Sequence, residues 1–233
     1  MQISEIYSSN QGEGRLTGQP SVFIRTSGCN LRCSFCDTPF ASWQPSGDEI
    51  SVEQIVKKAL AQKPRHSVIT GGEPMLPREI VQLTRALKEE RFHITIETAG
   101  TIFRDVDCDL VSISPKMSNS TPDLGRAGEW RKKHEQARLR SEVVSSLIQK
   151  HDYQLKFVVA RPDDMEEIVG FLDSLSLPSP LEIDPSKVLL MPEGIDWAEL
   201  ESREQWLLPI CQQHGFTFCP RMHILWYGNK RGT

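Results

Sequence analysis

The chain has 233 residues, 38% hydrophobic and 25% charged, which is the composition of a globular protein with a full core and excludes a disordered one. A formal net charge of −4 argues against the cationic footprint of a nucleic-acid-binding protein. No apolar run reaches the roughly 18 residues of a membrane span. The N-terminal MQISEIYSSNQGEG lacks the basic-then-apolar pattern of a secretory signal, so a cytoplasmic, reducing setting is expected, where six cysteines are not a disulfide framework.

From residue 21 onward, apolar β-rich runs alternate with amphipathic helical patterns. SVFIRTS (21–27) reads as a strand feeding a cysteine-rich loop. Over 51–62 a helix places Val52, Ile55, Val56, Ala59 and Leu60 on one face, with Ser51 and Gln54 as its capping box. SVIT (67–70) is a strand ending at Gly71-Gly72, and the helix over 78–90 turns Ile80, Leu83, Thr84 and Leu87 one way. FHITIET (92–98), LVSIS (110–114), LKFVVA (155–160) and KVLLM (187–191) read as further strands. The charged stretch 128–150 predicts a solvated surface helix. A helix follows from Met165 to about Leu175, with Asp164 and Glu167 placed to cap it, and another near Trp197 to Gln213, opened by Asp196 and Glu199. FTFCPRMHILWY reads as a last strand or hairpin arm carrying His223.

Strand and helix alternating about six times predict an α/β fold with a parallel sheet. With right-handed crossovers this makes a partial (β/α) barrel of roughly six parallel core strands, not a full eight-fold one. No repeat, low-complexity tract or linker interrupts the chain, so a single domain over 1–233 is expected.

In parallel α/β folds, functional groups collect in the loops after the strands. There lie Cys29, Cys33 and Cys36 (C-x3-C-x2-C), Gly71 to Pro74, Glu97 to Gly100, Ser114 to Lys116, and Met191 to Glu193. A structural zinc site wants four ligands, and only His66 or Cys108 offers a fourth, neither in a matching knuckle. A fully ligated 4Fe–4S cluster also takes four thiolates, so three leave one iron open to a small molecule. Cys108, Cys211 and Cys219 are scattered and read as small buried hydrophobes. A non-catalytic iron–sulfur carrier and a zinc-stapled binding module remain open on this evidence.

The C-x3-C-x2-C loop with Phe35 before its last cysteine, followed by GGEP at 71–74, resembles the radical S-adenosylmethionine (SAM) superfamily. NQGEG (10–14), FIRTSGC (23–29), CDTPF (36–40), TGGEP (70–74), ETAG (97–100), SPK (114–116) and the terminal HILWYGNKRGT are together similar to the 7-carboxy-7-deazaguanine synthase family. Only residues 119–150 match weakly, as a family-variable insertion would. The resemblance implies conversion of 6-carboxy-5,6,7,8-tetrahydropterin to 7-carboxy-7-deazaguanine with loss of ammonia, in queuosine and related deazapurine biosynthesis. The superfamily loop is also shared by enzymes that activate glycyl-radical partners, the alternative enzyme reading, although those have no need of QGEG or Arg25.

By the same resemblance, Cys29, Cys33 and Cys36 hold a 4Fe–4S cluster. SAM lies against Phe35, Cys36, Asp37, Gly72, Ser114, Pro115, Lys116, Met191, Pro192, Glu193 and Gly194. Asn10, Gln11, Gly12, Glu13, Arg25, Thr70 and His223 face the pterin, and Thr38 gives a hydroxyl to Mg²⁺. It further implies SAM regeneration in each turnover, a flavodoxin- or ferredoxin-type reducing partner, and a homodimer. The residue chemistry agrees: Arg25 offers a planar fork to a carboxylate, Glu13 accepts from ring N–H groups, and Gly12 and Gly14 allow close backbone approach. Against this, QGEGRLTG also reads as a flexible polar loop, and a lone His such as His223 is as often structural.

Overall fold

The strands expected between residues 20 and 192 all form, and they share one sheet. The computed structural model describes residues 1–179 and 181–233. Its strands are β1 (Gln2–Asn10), β2 (Pro20–Thr26), β3 (Asp48–Glu49), β4 (His66–Gly71), β5 (His93–Thr98), β6 (Leu110–Ile113), β7 (Tyr153–Val159), β8 (Val188–Pro192) and β9 (Thr217–Phe218). They lie in the order β3-β1-β2-β4-β5-β6-β7-β8-β9. From β2 to β9 every neighbouring pair is parallel, and β1 runs antiparallel to β2 and to β3. The result is an open, partial-barrel sheet. β1, which the sequence pattern does not announce, is a mostly half-buried strand near the sheet edge with serines in place of β-branched residues.

The helices are α1 (Val52–Leu60), α2 (Ile80–Glu89), α3 (Leu124–Ala127), α4 (Trp130–Ala137), α5 (Ser141–Lys150), α6 (Asp164–Asp173), α7 (Trp197–His214) and α8 (Met222–Tyr227). α1 begins with the reciprocal Ser51–Gln54 capping box and buries Val52, Ile55 and Ala59. α2 buries the four residues its periodicity singles out, Ile80, Leu83, Thr84 and Leu87. Alternation along the strands divides the sheet into two faces. Val22, Ile24, Ile69, Ile94, Ile96, Val111, Ile113, Leu155 and Phe157 point outward and join the helices in the main core. The opposite face carries Arg25, Thr70, Glu97, Lys156 and Met191 and bounds a cavity.

Beneath that cavity polar groups satisfy one another. His66 Nδ1 lies 2.7 Å from Ser21 Oγ and its Nε2 2.9 Å from Thr95 Oγ1, and Gln154 Nε2 donates to Ser112 Oγ at 2.8 Å. Both His66 nitrogens are thus engaged, and Cys108 Sγ sits 3.6 Å from His151 Nδ1, so neither completes a zinc site with the clustered cysteines.

Four expectations need correction, the last of them only in part. Residues 128–150 form two helices, and α5 buries Val144, Leu147 and Ile148, so only the first half is a solvated face. At α6, Asp164 turns back to the Ala160 and Arg161 amides and Glu167 accepts from Ser118 N, so neither caps the helix. After the two-residue β9 the chain does not continue as a strand. Met222 to Tyr227 form α8, which puts His223 in the first turn of a helix. At α7, Asp196 accepts from Glu199 N as anticipated, but the Glu199 carboxylate pairs with Arg203 instead of returning to the cap. Among the described residues no helix is long and apolar enough to cross a membrane.

Candidate active site

The C-terminal ends of the parallel strands open into one cavity of about 770 Å³. Cys29, Cys33 and Cys36 line it; Cys108, Cys211 and Cys219 do not. Gly28 N donates to Ala41 O at 2.8 Å, closing the base of the cysteine loop, and Glu73 N donates to Gly28 O at 2.9 Å, tying it to the end of β4. Burial, then the Glu73 carboxylate and the neighbouring thiols, pushes Cys29 up to about 12. Burial likewise raises Cys33 to about 12. Thiols so placed ionise only beside a strong cationic group, which the irons of a cluster supply. Among the described residues no three His, Cys, Asp or Glu side chains converge as a single ion would require. A cluster whose thiolates bind different irons needs no such convergence, so this donor set fits it better than zinc.

The GGEP turn is built for close packing. A Cβ on Gly72 would lie 2.2 Å from Gly28 O, so only glycine lets β4 meet the cysteine loop. Glu73, fully buried, accepts from Thr98 Oγ1 (2.7 Å), Ala99 N (2.9 Å) and Met75 N (3.0 Å), tying the loop after β4 to that after β5. Burial nevertheless holds its pKa above the usual carboxylate range. Lys116 Nζ donates to Ser114 O and Oγ at the end of β6. Beyond β8, Glu193 turns its carboxylate to Arg203 at 2.7 Å, and Gly194 O accepts from Arg221. Phe35, Asp37, Thr38, Met191 and Pro192 complete this rim. Thr38 Oγ1 lies 3.9 Å from Cys36 Sγ. These lining groups surround a cavity beside the thiols and present the mixed backbone and polar surface that an amino-acid-bearing nucleoside such as SAM requires.

Deeper in the cavity lies an ionic network. Lys156 Nζ contacts Glu13 Oε2 at 2.6 Å and Glu97 Oε2 at 2.9 Å, with its side chain only 6% exposed. Glu13 also meets Arg221 Nε at 3.1 Å and His223 Nδ1 at 3.8 Å. Burial alone would raise the Glu13 pKa, yet Lys156 and Arg221, with His223, hold it well below the usual range. The same carboxylates raise Lys156 against the opposite pull of burial, whereas burial lowers His223. Arg221 also contacts Asp37 and thereby joins the QGEG segment to the cysteine loop.

QGEG is therefore no flexible loop. Gln11 is buried and donates to Glu97 Oε1 at 3.2 Å, and Gly14 N donates to Cys219 Sγ. A Cβ on Gly12 would meet His223 at 2.6 Å, and one on Gly14 would strike Gln154 at 2.2 Å. Asn10 Nδ2 donates to Tyr227 OH at 3.2 Å. Arg25, paired across strands with Thr70, gives Nε to Glu5 (2.7 Å) and Nη2 to Tyr7 OH (3.2 Å). Its outer edge is what remains for a ligand. Tyr7 and Phe23 stack at 5.2 Å and 8° to form a flat wall of the cavity.

Residues 23–141 match the Radical SAM superfamily. The chain is 45% identical to a 7-carboxy-7-deazaguanine synthase from Rhodopirellula baltica, over 99% of this chain and 88% of that one. It is 43% identical to the protein of the same name from Halobacterium salinarum, over 96% and 90%. The chain belongs to the 7-carboxy-7-deazaguanine synthase family. It is a radical SAM enzyme, a lyase of 7-deazapurine biosynthesis. The crystal structure of QueE from Escherichia coli shares the fold, with a TM-score of 0.67 at 24% identity over 95% of this chain and 94% of that one.

Within this synthase family member, the superfamily match contains the cysteine loop and GGEP but ends before Lys156, Arg221 and His223 and begins after Glu13. The ionic network is therefore assembled from segments outside the superfamily core, together with Glu97. Sequence reasoning placed Glu97 among the strand-end groups without giving it a role, and did not single out Glu5, Tyr7, Phe23, Lys156 or Arg221. For Lys156 and Glu97 the signal was charge inside strands: a lysine in the middle of LKFVVA and a glutamate in HITIET have no place in a fully buried sheet.

Proposed function

We propose that the cavity binds 6-carboxy-5,6,7,8-tetrahydropterin together with SAM and that the enzyme forms 7-carboxy-7-deazaguanine with release of ammonia. The single observation that carries this reading is the pairing of a flat aromatic wall, Tyr7 on Phe23, with a fixed carboxylate and a guanidinium in the cavity that holds the three thiols. A pterin is flat, with N–H donors along one edge, and its carboxylate is anionic. The aromatic pair suits the ring face. Glu13, held ionised, accepts from the ring edge, and Arg25 meets the carboxylate.

When bound through Cys29, Cys33 and Cys36, the cluster with SAM supplies the one-electron chemistry that removes a substrate hydrogen. SAM is assigned to Gly72 and the backbone at 35–37, 114–116 and 191–194. Thr38 contributes its hydroxyl to Mg²⁺, an oxygen-seeking ion that keeps most of its water and binds with the anionic substrate. Lys156 stays protonated and fixes the two carboxylates. His223, whose pKa burial lowers, lies beside Gly12 and Glu13 and offers its ring to the pterin. Closure of the cavity by QGEG and α8 keeps water from reactive species. The enzyme works in a reducing, cytoplasmic setting.

Anaerobic calorimetric titration of the reconstituted protein with the carboxytetrahydropterin and with tetrahydropterin lacking the carboxylate tests this reading. The carboxylated ligand is expected to bind at least about tenfold more tightly, a loss of charge-assisted bonds worth more than about 1.4 kcal/mol. Equal affinities, or no binding of either, would refute it.

A further inference from the structure

The cysteine loop is covered on its outer side by a cationic surface. Residues 121–140 hold six Arg or Lys against three Asp or Glu, a net +3 in a chain of net −4. Arg131, Lys132 and Lys133 are consecutive, exposed, and occupy the first turn of α4, which has no acidic residue. Cations there oppose the helix dipole. The ion pairs of the segment fall instead to Arg138 and Arg140. Arg131 Nη1 donates to Pro122 O at 2.9 Å and Lys133 Nζ lies 4.9 Å over the Trp130 ring, but none of the three cations is neutralised by an ion pair among the described residues, which leaves their charge facing outward.

The segment also touches the loop directly. Ser34, between Cys33 and Cys36, donates from N to Ser120 O (2.9 Å) and from Oγ to Asn119 O (3.0 Å). Arg32 N donates to His134 Nδ1 at 3.1 Å. Trp43 Nε1 donates to Cys33 O at 3.1 Å, and the exposed Arg126 lies 4.1 Å over the Trp43 ring. Arg32 stacks over Trp130 at 4.0 Å, and Trp130 is itself 37% exposed. One indole separates the cationic surface from the peptide of a cluster cysteine.

We infer that this face docks the electron donor, a small acidic one-electron carrier of flavodoxin type whose carboxylates meet Arg126, Arg131, Lys132 and Lys133. This rests on the cluster reading of Cys29, Cys33 and Cys36. One electron leaves the carrier and one enters the cluster. No bond forms or breaks at the surface, and no proton is needed there. Opposed charges raise the encounter rate in a salt-dependent way, while the exposed Trp130 supplies contact area.

The test uses the anaerobically reconstituted holoenzyme in three forms: parent, Arg131→Glu/Lys132→Glu/Lys133→Glu, and Lys57→Glu/Lys58→Glu/Lys63→Glu as an equal charge change beside α1. Each is mixed with a reduced bacterial flavodoxin or with photoreduced deazariboflavin, an uncharged small reductant. Stopped-flow bleaching of the cluster and flavodoxin binding by calorimetry are followed across ionic strength. The α4 variant is expected to slow flavodoxin-driven bleaching at least about tenfold at low salt, within the range of electrostatic steering. It should also weaken binding and flatten the salt dependence, with iron content, deazaflavin bleaching and melting temperature unchanged. The α1 variant should stay within about twofold of the parent.

Equal flavodoxin rates for parent and α4 variant would overturn the docking surface while leaving the cluster reading intact. So would an equal loss in the α1 variant, a changed oligomeric state of the α4 variant by sedimentation, or binding of an RNA at the same residues as tight as that of flavodoxin. A parent that holds no iron, or whose absorbance deazaflavin does not bleach, would overturn the cluster reading and the docking surface with it.

Discussion

Lys156→Met removes the one cation shared by Glu13 and Glu97 while keeping the length of the side chain. The lysine is 6% exposed and its contacts are 2.6 and 2.9 Å, so solvent screens little of the interaction. After the change Glu13 retains Arg221 at 3.1 Å, but Glu97 keeps only the Gln11 amide at 3.2 Å. Removing one partner of a buried pair costs about 3–5 kcal/mol, because the remaining charge is left uncompensated. At about 2–4 °C per kcal/mol for a chain of this size, the melting temperature should fall by about 6–20 °C.

The pH dependence separates this cause from lost packing. In the parent, the depressed pKa of Glu13 contributes stability above its unfolded value near about 4.3, which is lost as pH falls further. The raised pKa of Lys156 contributes stability below about 10.4, which is lost as pH rises through its folded value. In the variant a buried, unpaired carboxylate takes up a proton readily. Its deficit relative to the parent should therefore shrink from pH 8 to pH 5. Melts of parent, Lys156→Met and Lys156→Met/Glu97→Gln in the cluster-free form measure this, and the double variant should recover part of the loss. A shift under about 2 °C, or a deficit independent of pH, would refute the shared-cation account.

Replacing Cys29, Cys33 or Cys36 by Ala should abolish stable iron incorporation, while the same change at Cys108, Cys211 or Cys219 should not; iron analysis decides. Arg25→Lys should weaken carboxypterin binding by about 2–5 kcal/mol, since a point charge does not replace the free outer edge of a guanidinium that Glu5 and Tyr7 hold in place; titration at fixed SAM measures it. Thr38→Ala should retain the cluster and reductive SAM cleavage but lose Mg²⁺-stimulated turnover, whereas Thr38→Ser should keep much of it. Gly12→Ala places a Cβ 2.6 Å from His223 and should abolish pterin binding with iron content unchanged.

The outward half of this fold was legible because its strands and helices obey simple periods. Ile94 and Ile96 alternate with Thr95 and Glu97, and α2 buries the residues its 3.6-residue spacing marks. The cysteine loop and GGEP were legible because few other uses suit them. Less visible was the inner face, where Lys156 looks like an isolated charge until β7 brings it between two carboxylates that lie 59 and 143 residues away in the chain. Arg221 escaped notice for the same reason: its partners Glu13 and Asp37 lie 208 and 184 residues away in the chain. The C-terminal segment misled because HILWY is rich in β-forming residues. Tertiary packing of Ile224 and the contact of His223 with Gly12 select a helix there.

The most direct measurement is product formation by the anaerobically reconstituted enzyme given 6-carboxy-5,6,7,8-tetrahydropterin, Mg²⁺, a reductant and SAM in amounts well below the substrate. 7-Carboxy-7-deazaguanine and ammonium should appear in equal amounts and exceed the SAM supplied, because SAM is regenerated at each turnover. Reductive cleavage of SAM with the pterin left unchanged would contradict the account.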